Sequence, residues 1–390
     1  MSQHPDQQRP LRMLIVTWEL DGASGGWGRY SQGLVRGLLE RGVHLTILTM
    51  RKTVAPLLGA AGLGANVRVI PSLSSPLASL DRLPHFAWNM AHVWRHAPGH
   101  DLVHFFVEPY ALAASAVFPW PYLITVHGTS GVSPLKMNAV TRTLFTRTMQ
   151  RAASVVCVSD YTRRRVYDAL RLDNLAVVTN GFEPVRSPAG QFAGEIAGGQ
   201  VLMGVGALKP RKGYHTVLEA LPLIREQYPA VQYYLVGDDQ DRKYVSGLRE
   251  TIARLGLEPN ATITGRIDEA HLEALYRRAD AFVLPSENSG SAFEGFGLAY
   301  LEANAYGKPV VGTLDCGAED AITDGENGYL VPQRDPAALS AAVLRLLDDP
   351  AAARAMGERG RLRALNRDWS QVVDEYLAIY NRVLGRRSPA

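Results

Sequence analysis

The sequence predicts an α/β protein built from two parallel-sheet domains, and three observations lead to this prediction. At 390 residues, the chain is too long for one ordinary hydrophobic core and fits two domains of similar size. Near its start, an apolar strand over residues 12–17, a glycine-bearing loop, a helix over residues 27–40 and a strand over residues 44–49 form a β-loop-α-β unit. A second apolar strand, over residues 201–206, opens a further sheet.

The composition is that of a globular protein, with 46% hydrophobic and 20% charged residues. A net charge of only +3, without an intense basic block, disfavours nucleic acid as the main partner. Cys157 and Cys316 lie in separate halves of the chain and supply neither a disulfide framework nor metal-ligand spacing, so we expect a cytoplasmic protein. The polar first ten residues lack the apolar core of a signal peptide, and the longest uncharged run, residues 110–126, is too short and proline-broken for a membrane span.

The first loop argues against a dehydrogenase. It carries four glycines, Gly22, Gly25, Gly26 and Gly28. They do not form the G-x-G-x-x-G pattern, and no acidic residue ends the second strand, where an NAD enzyme would bind ribose. Four glycines exceed what a simple turn needs, so we interpret the loop as functional.

His127 follows the strand predicted over residues 122–125. The carboxyl end of a parallel strand faces the crevice where such sheets bind ligands, so we interpret His127 as functional, against the alternative of a structural histidine. The helix predicted over residues 135–151 carries several cations that spread around its surface. A solvated face is the preferred interpretation, and weak peripheral contact with anionic lipid at the inner face of a membrane stays open.

A glycine-bearing turn opens a predicted helix over residues 297–306, directly after a short apolar strand and a polar loop. Free backbone N–H groups and the positive end of the helix dipole make such a turn an anion site suited to phosphate. Glu294 and Glu302 bracket it with seven residues between them. If both were helical, they would lie about 12 Å apart along the axis, too far to share one proton or metal. They could instead hold two ends of an extended, hydroxyl-rich ligand such as a nucleotide sugar.

The run Phe293-Glu-Gly-Phe-Gly-Leu, followed by Glu302-Ala-Asn-Ala-Tyr-Gly-Lys-Pro-Val310, resembles the E-x7-E signature of retaining glycosyltransferase family 4. The F-E-G-F-G form is similar to that of bacterial lipid and cell-envelope mannosyltransferases. The resemblance implies the GT-B fold, two Rossmann-like, doubly wound domains that face each other across a cleft. It places an acceptor-side domain at residues 1–183, a donor-binding domain at residues 184–367, and a last helix, residues 368–386, packed back on the first domain.

The resemblance also implies roles for individual residues. Glu302 would bind the ribose hydroxyls, and Glu294 would hold sugar and phosphate together with the turn and its amides, Gly295, Phe296, Gly297 and Leu298. His127 would line the sugar pocket, and the loop with Gly25 and Gly26 would approach the donor.

Lys212 matches the lysine of the family pattern G-R-L-x-x-x-K-G, which grips the donor diphosphate. Ala207 stands where the family has arginine, so either Lys209 or Arg211 would supply the missing charge. By resemblance, the backbone near Arg266 and Ile267 would contact the nucleobase. A carboxylate at Asp268 or Glu269 could accept hydrogen bonds from guanine, but a helix-capping role is the preferred interpretation.

We therefore expect a retaining glycosyltransferase that moves a sugar from a nucleotide-sugar donor, with a weak preference for GDP-mannose over a UDP-sugar, to a hydroxyl acceptor such as a glycolipid or cell-envelope precursor. No cofactor and no metal are expected, and Asp239 and Asp241 are not interpreted as a D-x-D metal motif because family members generally need none. A nucleotide-sugar epimerase or hydrolase on the same fold is the first alternative. A nucleotide-sugar-binding protein without turnover is the second.

Overall fold

The computed structural model describes residues 9–20, 25–50, 66–75, 83–114, 118–182 and 199–386. Contacts divide the chain into two compact units. The first comprises the chain up to Val158, then Arg163–Val178 and the segment from Trp369, and the second comprises Ser159–Thr162 and Thr179–Asp368. Gly22 and the predicted domain boundary at residues 183–184 lie outside the described residues.

Strands and helices alternate through most of the described chain, which ends in three successive helices. The strands are β1 Arg12–Val16, β2 His44–Met50, β3 Val67–Leu73, β4 Leu102–Phe105, β5 Tyr122–Val126, β6 Ser154–Cys157, β7 Leu175–Val177, β8 Val201–Val205, β9 Gln232–Val236, β10 Ala261–Gly265, β11 Ala281–Val283, β12 Val310–Thr313 and β13 Gly328–Val331. The α-helices are α1 Gly26–Glu40, α2 Leu83–His96, α3 Ala139–Arg151, α4 Asp160–Leu170, α5 Tyr214–Gln227, α6 Arg242–Arg254, α7 Glu269–Arg278, α8 Leu298–Ala305, α9 Ala318–Ala321, α10 Pro336–Asp348, α11 Pro350–Leu365 and α12 Trp369–Leu384.

Among the described residues, the sheet of the first unit has seven strands in the order β3-β2-β1-β4-β5-β6-β7, and every neighbouring pair is parallel. The central strands β4, β5 and β6 are buried along their whole length, as expected for a sheet covered on both faces. The strand order reverses between β1 and β4. Ligands of doubly wound sheets bind outside the carboxyl ends of the strands at such a reversal.

Helix α12 packs in the core of the first unit, beside α1. Two glycines of α1 make close packing possible, because a Cβ at Gly33 would overlap Trp369 and one at Gly37 would overlap Val373. A buried polar network joins the helix to the sheet: His104 bonds the Tyr380 hydroxyl at 2.8 Å. The last helix is therefore an integral layer of this unit.

The sheet of the second unit has six parallel strands in the order β10-β9-β8-β11-β12-β13. Its order reverses between β8 and β11, so its crevice lies beyond the ends of these two strands. Gly206 follows β8 and Gly237 follows β9. Their backbones pack so closely that a Cβ at Gly237 would overlap the Gly206 carbonyl oxygen. The α/β fold with two parallel sheets confirms the predicted fold class.

Two boundaries differ from the sequence prediction. Helix α3 begins at Ala139 rather than at residue 135, because the Asn138 side chain accepts the Thr141 N–H at 2.9 Å and caps the helix there. The short segment Ser133–Lys136 forms a separate 3-10 turn. Residues 179–182 belong to the second unit, where the Phe182 N–H donates to the Arg367 carbonyl oxygen at 2.9 Å.

No helix within the described ranges is both long and apolar enough to cross a membrane.

Candidate functional site

The predicted glycine turn lies at the start of α8, in the second unit. Gly297 has φ +84° and caps the helix, and a Cβ at this position would lie 2.5 Å from the Tyr300 ring, so glycine is required there. Gly295, Phe296 and Gly297 are buried, and Leu298 is half-buried. As at any helix start, the first N–H groups have no partner within the helix and can bind an anion.

Glu294 lies immediately before this turn and binds two cations. Its Oε2 atom accepts hydrogen bonds from Arg211 at 3.0 Å and from the Ser286 hydroxyl at 3.3 Å, and it forms a close ion pair with Lys212. Burial alone would raise the pKa of Glu294, but the charges of Lys212 and Arg211 outweigh burial and lower this pKa to about 2. The carboxylate is therefore ionised at neutral pH.

A short 3-10 turn, Pro210–Lys212, brings the two cations to Glu294. The turn is fixed on both sides: Gly213 has φ +69° and packs so closely on the Pro285 carbonyl that no Cβ fits, and the Glu287 N–H donates to the Arg211 carbonyl oxygen at 2.8 Å. Lys212 is buried, which lowers its pKa although Glu294 opposes this shift.

Lys209 and Arg211, the two candidates for the missing arginine charge, differ in their contacts. Arg211 contacts Glu294 beside Lys212, whereas Lys209 is exposed and the described residues show no hydrogen bond or ion pair between Lys209 and Glu294. Arg211 is thus the second cation of the cluster.

The second glutamate of the predicted pair lies inside α8. Glu302 is buried and its Oε2 atom accepts a hydrogen bond from the Tyr276 hydroxyl at 3.2 Å. Glu294 lies outside the helix, which begins only at Leu298, so the separation estimated for two helical glutamates does not apply.

The loop predicted to contact the base follows β10. Arg266 is exposed and pairs with Asp238 at 2.8 Å, and Ile267 is half-buried. Asp268 caps α7 by accepting the His271 N–H at 2.8 Å. The capping interpretation of Asp268 is confirmed.

In the first unit, His127 follows β5 with its ring locked in one tautomer. Its Nε2–H donates to the Phe106 carbonyl oxygen at 2.7 Å, which leaves Nδ1 as an acceptor, and burial lowers the pKa of His127 to about 4. The ring packs edge-on against Tyr30 and lies 6.4 Å from Trp27. Gly25 and Gly26 are exposed at the start of α1, where Gly25 has φ +135°.

Glu108 holds the backbone of His127 and was missed by the sequence analysis. Its Oε1 atom accepts the His127 N–H at 2.7 Å, and the side chain is fully buried. Burial raises the pKa of Glu108 to about 7, although backbone N–H groups oppose this shift. Its Oε2 atom has no hydrogen-bond partner in the described structure. The run of residues 102–106 predicts a strand, and the only available signal was the position of Glu108 two residues past it, which is weak.

Ser159 and Thr162 also contact the glycine turn and were not predicted from the sequence. Both hydroxyls donate to the carbonyl oxygen of Gly295, in the turn after Glu294. They lie more than a hundred positions before Gly295 in the chain, so no spacing could have indicated the contact.

Comparisons with known proteins agree with this geometry. Residues 24–186 match the family described as Glycosyltransferase Family 4, and residues 191–363 match the family described as Glycosyl transferases group 1. The chain is 29% identical over 420 residues to a glycogen synthase of Mycobacterium tuberculosis, covering 95% of this chain and 94% of that protein. It is 34% identical over 240 residues to a GDP-mannose-dependent alpha-(1-6)-phosphatidylinositol monomannoside mannosyltransferase of Mycolicibacterium smegmatis, covering 59% of this chain and 62% of that protein.

Among solved structures, the sucrose-phosphate synthase of Thermosynechococcus elongatus has the same fold, with a TM-score of 0.76 at 23% identity over 96% of this chain and 99% of that one. The two family matches together extend over most of the described chain, and each falls largely within one of the two parallel-sheet units. The chain therefore belongs to the family 4 glycosyltransferases and has their GT-B fold.

Proposed function

We propose that this glycosyltransferase moves a mannosyl group from GDP-mannose to a hydroxyl of a glycolipid or cell-envelope precursor, with retention of anomeric configuration. The observation that carries the proposal is the cluster of Arg211, Lys212 and Glu294 at the start of α8. Two cations beside free helix N–H groups form a site for a diphosphate, the group that leaves a nucleotide sugar.

The proposed roles follow from the positions of the side chains. Lys212 and Arg211 bind the diphosphate and stabilise the charge that it gains in the transition state. Glu294 holds these two cations in place and, together with the amides of Phe296, Gly297 and Leu298, contacts the sugar and the phosphate. Glu302 binds the ribose hydroxyls.

Three further assignments rest on the family resemblance. His127 contacts the transferred sugar, for which its Nδ1 atom offers an acceptor to a hydroxyl. The backbone near Gly25 and Gly26 approaches the donor, and the backbone at Arg266 and Ile267 contacts the base.

Retention is proposed to proceed on one face of the sugar. The bond between the anomeric carbon and the diphosphate oxygen breaks while the acceptor oxygen bonds to the same face of that carbon. The departing phosphate takes the acceptor's proton, so no protein carboxylate has to act as nucleophile. Positioning and charge stabilisation are then the protein's main contributions.

The mannosyl donor is supported by the relative that is named as GDP-mannose-dependent, which is 34% identical over 240 residues. A glucosyl donor is the second candidate, because the relative named glycogen synthase matches nearly the whole chain. The Asp268 carboxylate caps a helix, so it is not expected to accept hydrogen bonds from guanine. This favours contacts between the base and the backbone.

An acceptor in a lipid surface would bring the chain to the inner face of the membrane. The exposed arginines of α3, Arg142, Arg147 and Arg151, would then meet anionic headgroups. Co-sedimentation with phosphatidylglycerol vesicles at low and high salt measures this contact. Equal binding to neutral vesicles would contradict it.

Calorimetric titration with GDP, UDP and ADP tests the donor. We expect GDP to bind most tightly, and Glu302→Ala to weaken its binding about ten- to hundredfold through the loss of a charged hydrogen-bond acceptor. Radiolabelled GDP-mannose is then incubated without acceptor and with candidate glycolipids. Label transferred only when an acceptor is present supports the proposal, whereas rapid sugar release or conversion without acceptor would indicate a hydrolase or epimerase. Preference for UDP or ADP would favour the glucosyl donor.

A further inference from the structure

The carbonyl oxygen of Gly295 accepts two side-chain hydrogen bonds from a distant part of the chain. Thr162 Oγ1 donates to it at 3.0 Å, and Ser159 Oγ donates to it as well. Both hydroxyl-bearing side chains are fully buried. A buried carbonyl oxygen has room for two donors, and here both places are filled.

The segment that carries these hydroxyls is itself fixed within the second unit. Ser159 Oγ accepts the Thr162 N–H at 2.8 Å, which caps α4. The carboxylate of Asp320 accepts the N–H groups of Asp160 at 2.7 Å and of Tyr161 at 3.1 Å. The two hydroxyls are therefore presented to Gly295 from a rigid helix start.

Gly317 packs against the same peptide. A Cβ at Gly317 would overlap the Gly295 carbonyl group and lie 2.6 Å from the Phe296 nitrogen. The Gly317 N–H donates to the Glu294 carbonyl oxygen at 2.8 Å, which ties the preceding peptide as well. The peptide between Gly295 and Phe296 is thus held by hydrogen bonds and by close backbone packing.

Holding the Gly295 carbonyl in place also fixes the direction of the Phe296 N–H, which belongs to the same peptide. In a planar trans peptide the C=O of Gly295 and the N–H of Phe296 point in opposite directions. Within the described residues the Phe296 N–H has no acceptor, and Phe296 lies directly before the cap of α8, two residues after the Glu294 that binds Lys212 and Arg211.

We propose that Ser159 and Thr162 are positioning residues that direct the Phe296 N–H toward the diphosphate of the donor, an inference that rests on the proposed function. They do not touch the ligand. They act through the Gly295–Phe296 peptide. Without these two hydrogen bonds the peptide could rotate, and the Phe296 N–H would no longer point at the diphosphate. Preorganised N–H groups of this kind bind charge without reorganisation at the moment of reaction.

Two substitutions of Thr162 test the inference with matched shape. Thr162→Val removes the hydroxyl and keeps the volume, whereas Thr162→Ser keeps the hydroxyl. Calorimetry with GDP and UDP should show about five- to tenfold weaker binding for Thr162→Val, the equivalent of one net hydrogen bond, and nearly wild-type binding for Thr162→Ser. If Thr162→Val does not fold, Thr162→Ala tests the same hydroxyl.

A second readout separates positioning from general destabilisation. In protein labelled with nitrogen-15 phenylalanine, the Phe296 amide signal, assigned through Phe296→Leu, should shift on diphosphate addition in wild type and Thr162→Ser but shift much less in Thr162→Val. A lower melting temperature of Thr162→Val with unchanged affinity and an unchanged Phe296 shift would overturn the inference and leave the proposed function intact. Failure of the wild-type protein to bind any of the nucleoside diphosphates would overturn both.

Discussion

At the residue scale, the buried ion pair between Lys212 and Glu294 shows why the Glu294 carboxylate needs further partners. Lys212 and Glu294 are each only 8% exposed, so the pair loses most of its hydration. Removing either partner would leave a nearly unsolvated charge, which is strongly destabilising in proteins. Arg211 and Ser286 complete the hydrogen bonding of the same carboxylate oxygen, which makes the buried charge tolerable.

Arg211→Ala should lower turnover about ten- to hundredfold, because it removes a charged hydrogen bond to the departing diphosphate. Lys209→Ala is the matched control, since Lys209 is exposed, belongs to the same loop and is not bonded to Glu294 in the described structure. Steady-state kinetics on both variants measure the difference. Adding Ala207→Arg to Arg211→Ala should restore part of the activity, as the arginine would return to the family position.

Equal losses in the two single variants would contradict the assignment of the second cation to Arg211. Unchanged kinetics in Arg211→Ala would do so as well.

Glu108 should give the first unit a stability that depends on pH. Because burial raises the pKa of Glu108 from 4.5 to about 7, the folded state binds this proton more tightly than the unfolded state does. The contribution of Glu108 to the free energy of unfolding is therefore fully present below pH 4.5 and is lost as pH rises through 7. The total loss between these two pH values is about 3 kcal/mol.

Glu108→Gln cannot titrate, and Gln can still accept the His127 N–H. The melting temperature of the wild type should therefore fall relative to that of Glu108→Gln as pH rises from 5 to 8. His127 and His104, whose pKa values burial lowers to about 4 and about 3, titrate in both proteins and cancel in the comparison. A constant difference across this range would show that Glu108 titrates normally.

The family resemblance, together with the strand ends, predicted from sequence that three parts of the candidate site lie near one another. Lys212, Glu294 and the glycine turn lie together as expected, because each follows a strand whose carboxyl end lies at one edge of the second sheet. Which of Lys209 and Arg211 contacts Glu294 could not be predicted, since it depends on the rotation of a three-residue 3-10 turn. Ser159 and Thr162 were not predictable, because their partner is a backbone carbonyl 136 and 133 residues away.

At the scale of single elements, glycines decide how closely the strand-end loops pack. Gly213 joins the cation turn to α5, and its left-handed conformation places it against Pro285 with no room for a Cβ. Gly247 lies inside α6, where a Cβ would meet nothing within 4 Å.

Gly213→Ala should therefore destabilise the protein by about 1–3 kcal/mol through backbone strain and overlap. Gly247→Ala, the control with the same substitution, should stabilise it by about 0.5–1 kcal/mol, because alanine is the better helix residue. Melting temperatures in one buffer measure both shifts. Similar shifts in the two variants would argue against close packing of Gly213 on Pro285.

Helix positions were predicted better than helix starts. The start of α3 depends on whether Asn138 or an earlier residue caps the helix, and hydrophobic spacing alone does not decide between them. The start of α8, in contrast, was predicted to within one residue, because the glycine turn marks it, and Glu294 lies in the turn before the helix.

At the scale of the whole molecule, alternating strands and helices predicted two parallel sheets, and the order within each sheet follows the doubly wound rule. The chain does not divide between the units at a single point. Four residues at the start of α4 pack with the second unit and α12 returns to the first, and contacts between distant segments of this kind have no local sequence signal.

The distribution of charge over the molecule favours metal-independent transfer. Lys212, Arg211 and the start of α8 bring positive charge to the proposed diphosphate site. In the acidic loop after β9, Asp241 caps α6 by accepting the Tyr244 N–H at 3.2 Å, and Asp238 pairs with Arg266. These carboxylates therefore already serve structural contacts of the second unit.

We expect full turnover in excess EDTA, because protein cations and backbone amides neutralise the charge that a divalent ion would otherwise meet. Initial rates of GDP release are measured with purified enzyme, donor and acceptor, with EDTA alone and with added Mg²⁺ or Mn²⁺. Asp239→Asn serves as a control variant and should retain wild-type rates, since it removes a carboxylate of the D-x-D pattern without touching the cap at Asp241. Loss of activity in EDTA that only Mg²⁺ or Mn²⁺ restores, together with inactivity of Asp239→Asn, would instead assign Asp239 and Asp241 to a metal site.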